Sequence, residues 1–287
     1  MRLRTRNLIA VGATAALALG GTVAVVGSAS AATIPKTALG LSSNGKNLSV
    51  FDLRTAKRTK ALGQVKLTGD TKLVGIDQRP QDHKFYGVGN QGGIYRISPG
   101  SGFTSKVSQL TVPLSGTHFG VDFNPAADRL RVISDTGQSL RHDVTNAVPA
   151  TANDGALNYP TGTPPVAGPA AQGVSAAAYT NNDVDARTGT TLFNLDMNLD
   201  QVVQQVPANA GTLVASGPFG PKQGPIAGFD IVSTLKTGRT VENTGYASIR
   251  PSTGGLATLY TVDLLSGKFT KVAKFTKDIA DIAIPQP

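Results

Sequence analysis

Phe119-Gly120-Val121-Asp122-Phe123-Asn124-Pro125 decides the fold, because the chain carries this piece more than once. It is a short apolar strand with a Gly and an Asp two residues apart. Val74-Gly75-Ile76-Asp77 and Ala227-Gly228-Phe229-Asp230-Ile231 repeat it. Gly173-Val174-Ser175-Ala176-Ala177-Ala178-Tyr179 is a degenerate copy without the Asp, and Asp278-Ile279-Ala280-Asp281-Ile282-Ala283-Ile284 supplies a fifth. Aligned on Ile76, Val121, Ala176, Phe229 and Ala280, the copies recur every 45 to 55 residues. Hairpin patterns lie between them. Ile94-Tyr95-Arg96-Ile97 and Leu259-Tyr260-Thr261-Val262 each alternate and then run into a turn of small or polar residues, and Leu192-Phe193-Asn194-Leu195-Asp196 starts a third version. A period of this size, with room for four short strands, is the signature of a propeller blade.

The ends of the chain fit a closed ring. Residues 37 to 65 offer three strands, Thr37–Ser42, Asn47–Leu53 and Lys60–Val65, with no Gly-x-Asp strand of their own. The C-terminal strand Asp278–Ile284 is expected to provide it. One blade is then built from both termini, which removes a sheet edge. The expected fold is all-β, a propeller of five four-stranded blades closed by pairing of the N- and C-terminal strands. The alternative architecture is a two-sheet sandwich.

Composition agrees. Of the 18 acidic residues, 17 are Asp and the only Glu is Glu242, and there are 33 Gly and 17 Pro. Asp favours turns and strand ends where Glu favours helices. The net charge is +9, of which Arg2, Arg4 and Arg6 carry three, so residues 32–287 carry +6. The one basic cluster is Arg54, Lys57, Arg58, Lys60 and Lys66. It reads as an edge strand guarded by charge before it reads as a polyanion site. Neither a basic helix nor aromatics interleaved with basic residues point to nucleic acid. With no cysteine, a thiol nucleophile, a disulfide framework and a cysteine zinc site are excluded.

Residues 1–31 have the three-part layout of a secretory signal. Three arginines precede an uncharged run from Leu8 to Val26, and Ala29-Ser30-Ala31 follows in the form a signal peptidase accepts. Cleavage is expected at Ala31–Ala32. This leaves residues 32–287 as a single secreted domain, extracellular and without a membrane span. The competing reading is a membrane anchor, against which Gly12, Gly20 and Gly21 weigh.

The run from Gly116 to Arg141, which contains Asn124-Pro125-Ala126-Ala127-Asp128-Arg129-Leu130-Arg131-Val132-Ile133-Ser134, resembles the hallmark of the domain of unknown function 4394. Asp154-Gly155-Ala156-Leu157-Asn158, Ala178-Tyr179-Thr180-Asn181-Asn182 and Asn209-Ala210-Gly211-Thr212-Leu213 fit the same family. The resemblance spans most of residues 32–287 and implies a secreted bacterial protein with a propeller-like β fold. It implies no activity and carries over no catalytic residue. Asp183-Val184-Asp185 departs from the family by making an acidic loop where a neutral one is expected.

Candidate site residues are few. His83, His118 and His142 are the only histidines, and none has the spacing of a two-histidine metal site. His118, just before the Gly120/Asp122 strand, is the best placed to meet a ligand. No Gly-x-Ser-x-Gly elbow occurs. Asp77, Asp122 and Asp230 have two readings. They form a ring of carboxylates at one end of a central channel, able to hold a hard cation such as Ca²⁺, or each accepts N–H bonds from the turn that follows it. The structural reading is preferred, because a residue repeated at equivalent blade positions does a repeated structural job. Asp183 and Asp185 form a second candidate cation loop. Residues 152–172, with four prolines, read as a long loop in which Asn158 and Tyr159 are candidate ligand residues and whose second half is mobile in character.

No cofactor is firmly implied; Ca²⁺ is the one the residues suggest. Two functions compete. One is a noncatalytic binding module for a small molecule, glycan or protein, using a loop face. The other is a propeller enzyme of the metal-dependent lactonase, hydrolase or lyase type, acting at the central channel. Three or more oxygen ligands gathered around one point at the channel mouth would favour the enzyme.

Overall fold

A computed structural model describes residues 34–220 and 222–286; the signal layout of residues 1–31 lies outside the described residues. Twenty strands form five four-stranded antiparallel sheets. β1 (Thr37–Leu41), β2 (Asn47–Asp52) and β3 (Arg58–Gln64) open the chain. The second sheet is β4 (Leu73–Arg79), β5 (Lys84–Gly89), β6 (Gly93–Ile97) and β7 (Thr104–Gln109). The third is β8 (Phe119–Asn124), β9 (Arg129–Ser134), β10 (Ser139–His142) and β11 (Thr151–Asn153). The fourth is β12 (Val174–Tyr179), β13 (Leu192–Asp196), β14 (Gln201–Gln205) and β15 (Leu213–Pro218). The fifth is β16 (Gln223–Lys236), β17 (Arg239–Pro251), β18 (Thr258–Val262) and β19 (Phe269–Lys274). β20 (Asp281–Ala283) then pairs with β1, in the register Leu39↔Ala283, Gly40↔Ile282 and Leu41↔Asp281. The first blade is therefore built from both ends of the sequence, as the repeat requires. Ala208–Ala210 is a single 3₁₀ turn, and no helix among the described residues is long and apolar enough to cross a membrane.

β4, β8, β12, β16 and β20 are the strands that touch one another around the axis. Their sequences do not alternate, because both of their faces are covered by neighbouring blades: every residue of β12, Val-Ser-Ala-Ala-Ala-Tyr, is buried. The outermost strand β3 is largely exposed and bears Arg58 and Lys60, which places the basic cluster on a charge-guarded edge. Five apolar clusters fill the spaces between adjacent blades. One joins Phe51, Phe275 and Ile282; another joins Phe193, Phe229 and Ile249. The other three follow the same scheme around the ring.

The glycine of each Gly-x-Asp copy stands where inner strands come closest. A Cβ on Gly120 would lie 2.6 Å from the Ala177 nitrogen, one on Gly228 would lie 2.5 Å from Asp281 Cα, and one on Gly75 would lie 2.4 Å from a Val121 methyl. Close backbone approach is the reason for glycine at these points.

Candidate cation site on the propeller axis

Two residues beyond each of these glycines the aspartate reaches sideways into the next blade. Asp77 Oδ2 accepts the Phe123 N–H of β8 at 2.8 Å, and Asp122 Oδ1 accepts the Tyr179 N–H of β12 at 2.9 Å. Asp230 Oδ2 accepts the Ile284 N–H at 2.5 Å, just past β20. Asp281 Oδ2 of β20 accepts the Ile76 N–H of β4 at 2.8 Å. The fifth gap, between β12 and β16, is bridged by Asn182, whose Nδ2 donates to Ile231 O at 2.8 Å and whose N–H donates to Ser233 Oγ at 2.9 Å. Each blade junction is thus crossed by at least one polar side chain of an inner strand or its flank.

This corrects the expected structural role. The aspartates do not accept bonds from their own following turn. In Asp122-Phe123-Asn124-Pro125 the turn acceptor is Asn124, whose Oδ1 takes the N–H groups of Ala126 and Ala127. Asp122 lies inside the strand and points to the axis. The bonds also correct the register of two copies. Tyr179 and Ile284 occupy the place of Phe123, so Ala178 and Ala283 stand where the other copies carry Asp. The copies align on Ala177 and Ile282 rather than Ala176 and Ala280, and β12 and β4 share a bulge at the same place, between Val174 and Ala176 and between Leu73 and Gly75.

The stitching brings three carboxylates together. Asp77, Asp122 and Asp230 offer oxygens that all lie within 4.8 Å of one another. The three residues are 3%, 4% and 2% exposed. Among the described residues no Lys, Arg or His is in hydrogen-bond or ion-pair contact with them. Burial pushes Asp77 and Asp122 well above the usual carboxylate range, and their mutual repulsion and that of Asp230 add to it. Burial likewise pushes Asp230 up to about 7. Three buried acids without a cationic partner must either keep protons or hold a cation. Oxygens spaced this way suit a hard divalent ion, since Ca²⁺ takes oxygens at about 2.3–2.6 Å and two ligands across it are about 5 Å apart. These residues fit such an ion.

Gln286 closes the lower end. Its N–H donates to Gln78 Oε1, and its Nε2 donates to Ile231 O at 3.1 Å and approaches Asp230 Oδ1 at 3.5 Å. At the opposite end the axis opens into a cavity of about 230 Å³ whose walls include Ser43, Lys72, Thr117, His118 and Asp281. His118 is half-buried there, and its pKa is lowered by burial against an opposing pull from Asp135. Asp281 is half-buried at this mouth and is raised by burial. Asp77, Asp122 and Asp230 do not line the mouth.

The remaining candidates are placed elsewhere. Asp183 accepts the N–H groups of Asp185 and Thr240, one on each oxygen, and Asp185 is paired through both oxygens with Arg187. Neither belongs to the gathered carboxylates. Asn158 is buried, donates to Ala156 O at 2.9 Å and accepts from Gly168 N. The Tyr159 hydroxyl donates to Asp196 Oδ2 at 2.5 Å and accepts from Gln201 Nε2 at 2.9 Å. The first part of the 152–172 loop is consequently tied down, with Asn158 bridging to both Ala170 and Thr212.

A buried guanidinium that sequence reading missed does much of the tying. Arg131 is 1% exposed and contacts Asp154 at 2.6 Å, Asn209 Oδ1 at 2.8 Å, Ser139 Oγ at 3.0 Å and Tyr179 Oη at 3.2 Å. His142 and Ser108 form a buried hydrogen-bonded pair, 2.8 Å apart, between β10 and β7.

Fold and site together define a five-bladed β-propeller with a buried carboxylate cluster on its axis and an open mouth at one end. The chain belongs to the family described as Domain of unknown function (DUF4394), whose model matches residues 47–283. Among curated proteins no match was found. Solved structures that resemble it include a protein of unknown function from Bacteroides thetaiotaomicron VPI-5482, at 13% identity and TM-score 0.48 over 89% of this chain and 66% of that one. An auxiliary nutrient binding protein from Bacteroides ovatus ATCC 8483 aligns at 14% identity and TM-score 0.40, over 81% of this chain and 57% of that one. Glutaminyl cyclase from Myxococcus xanthus aligns at 12% identity and TM-score 0.43, over 84% and 94%. The chain spans less than two thirds of the length of the first two. Likenesses this distant say nothing about activity.

Proposed function

We propose that this protein is an extracellular, noncatalytic binding module whose axis is locked by a hard divalent cation, Ca²⁺ by its ligand chemistry. The observation that carries the reading is the gathering of Asp77, Asp122 and Asp230 within 4.8 Å with, among the described residues, no cationic side chain bonded to them. Each of these residues comes from a different blade, so an ion between them joins three blades at once.

Gathered oxygens at the axis also suit a metal-dependent enzyme, and burial separates the two readings. A catalytic metal keeps an open position for substrate. The three carboxylates here lie out of contact with the mouth, beyond glycines that pack strand against strand. An ion among them is enclosed. The mouth itself has one imidazole, His118, with no hydrogen-bonded carboxylate or hydroxyl partner among the described residues, which supports ligand binding there rather than turnover. Export rests on the layout of residues 1–31, and N-terminal sequencing of protein from culture supernatant should begin near Ala32; a chain found only intact and membrane-bound would overturn it.

The cation reading is tested by melting the chelator-stripped mature protein with and without Ca²⁺ at pH 8. At about 100 times Kd an ion adds about 2.7 kcal/mol, which for a domain of this size is a rise of roughly 5–10 °C. Unchanged melting in millimolar Ca²⁺ would reject the reading. Lactone or ester hydrolysis that is lost in His118→Ala would favour the enzyme instead.

A further inference from the structure

Resting on the cation reading, we infer that Gln286 is a further ligand of the axial ion, so that ion binding and docking of the closing strand β20 are one equilibrium. The argument starts from an orphan. Gln286 is 8% exposed, and its Oε1 is a buried oxygen without a hydrogen-bond partner. A buried amide oxygen left unpaired is costly and rare. This one sits on an amide whose other end is already against Asp230, at 3.5 Å from Oδ1. That distance is at the limit of a hydrogen bond.

An amide turned over about its last side-chain torsion exchanges N and O. Turned over, Gln286 sets Oε1 beside Asp230 where Nε2 now stands, gives up the Nε2 bond to Ile231 O, and brings two acceptor oxygens together in a contact that a shared cation relieves. The donor set is then three carboxylates and one amide oxygen, a combination that suits Ca²⁺.

Residues 281–286, which end in this glutamine, close the ring. β20 forms only three residue pairs with β1. Beside their apolar packing, residues 281–286 bond to the axis: Asp281 to the Ile76 N–H, the Ile284 N–H to Asp230, and the Gln286 N–H to Gln78. Asp230 accepts the Ile284 N–H through Oδ2 and faces the Gln286 amide through Oδ1. An ion held by both Asp230 and Gln286 therefore fastens residues 281–286 to β16. Docking of this segment in turn completes the ion's ligands. By linkage each must favour the other to the same extent.

The test uses the full mature chain, with Ca²⁺ as the probe. Calorimetric titration at pH 8 compares wild type with Gln286→Leu and Gln286→Glu, and hydrogen exchange follows the amides of Ile282 and Ile284. Gln286→Leu should weaken Ca²⁺ binding roughly tenfold, by removing one oxygen ligand, while Gln286→Glu should tighten it by adding ligand charge. Ca²⁺ should slow exchange at Ile284 in wild type and less so in Gln286→Leu. If the Leu variant fails to fold, the near-isosteric Glu variant still decides. A Glu variant that binds Ca²⁺ more weakly would show that the amide serves only as a donor and would overturn the inference. So would wild-type affinity in both variants, although the cation reading would then survive. No Ca²⁺ binding by wild type would remove both.

Discussion

At the scale of single residues, each axial aspartate ties a blade junction and belongs to a cluster of buried acids. One oxygen of Asp122 holds the Tyr179 N–H across a blade junction, and among the described residues no cationic side chain is bonded to the cluster it belongs to. The groups facing it from the other inner strands are Asp77, Asp230 and Asp281, together with the amides of Gln78 and Gln286. Carboxyls whose folded pKa is raised stabilise the fold below the unfolded value, near 4, and that stability is lost as pH rises through the folded value. With chelator present, melting temperature should therefore fall from about pH 4 to about pH 8, since burial holds Asp230 near 7 and Asp281 near 8. Added Ca²⁺ should abolish the fall at its alkaline end. Asp154 has the opposite sign. Bonds from Arg141 and Arg131 outweigh burial and hold it below the usual range, so its contribution is lost only as pH falls below about 4, outside this window. Melting curves from pH 4 to 8, with EDTA and with Ca²⁺, check the claim, and a flat EDTA profile would contradict it. Asp122→Asn keeps an oxygen for the Tyr179 N–H and removes one repelling charge. It should stabilise the chelated protein at pH 8 by about 1 kcal/mol and blunt its response to Ca²⁺; a loss of about 1–2 kcal/mol with or without Ca²⁺ would mean that the carboxylate serves only as a charged acceptor of a backbone bond.

At the scale of elements, the Gly-x-Asp pairing is a device for packing five inner strands around a narrow axis. The glycine permits contact and the aspartate supplies the cross-strand acceptor. Gly120→Ala sets a methyl 2.6 Å from the backbone nitrogen of Ala177, a neighbour that cannot rotate away, and should cost about 1–3 kcal/mol. Gly100→Ala, with nothing within 4 Å, should be within about 0.5 kcal/mol of wild type. Equal melting temperatures for the two variants would show that the inner strands are looser than described. The strands were legible because their apolar runs and turn residues are local signals. β1, β2 and β3 end within two residues of their expected limits at each end. The register of β12 and β20 was not legible, since Ala178 and Ala283 stand where the other copies carry Asp, and Asp281 lies two residues before that place. The candidate carboxylates could be read from repetition alone, but their partners could not. Phe123, Tyr179 and Ile284 contribute only backbone N–H groups, which leave no trace in side-chain identity. Arg131 and Gln286 are chosen by three-dimensional neighbours far away in sequence. Composition marks 152–172 as a long loop with Asn158 and Tyr159 as candidate ligand residues, and does not reveal the buried guanidinium that holds Asp154 beside them.

At the scale of the molecule, closure and the axis depend on the same residues. Deleting residues 278–287 removes β20, the Asp281 bridge to Ile76 and the Ile284 N–H that holds Asp230. The apolar cluster that includes Ile279, Ile282 and Ile284 is lost as well. The shortened chain should lose cooperative melting altogether, and melting at the wild-type temperature would show that the ring does not need this closure. A cation on the axis adds a second clasp, drawing on β4, β8 and β16 at once. The most direct measurement is a metal count. The mature protein, stripped with chelator, is equilibrated by dialysis against millimolar Ca²⁺ at pH 8, gel-filtered and analysed by mass spectrometry for bound metal, beside Asp122→Asn and Asp230→Asn. An axial cation site requires about one Ca²⁺ per wild-type chain and far less in both variants; a wild-type chain that retains no Ca²⁺, or variants that retain as much as wild type, would contradict it.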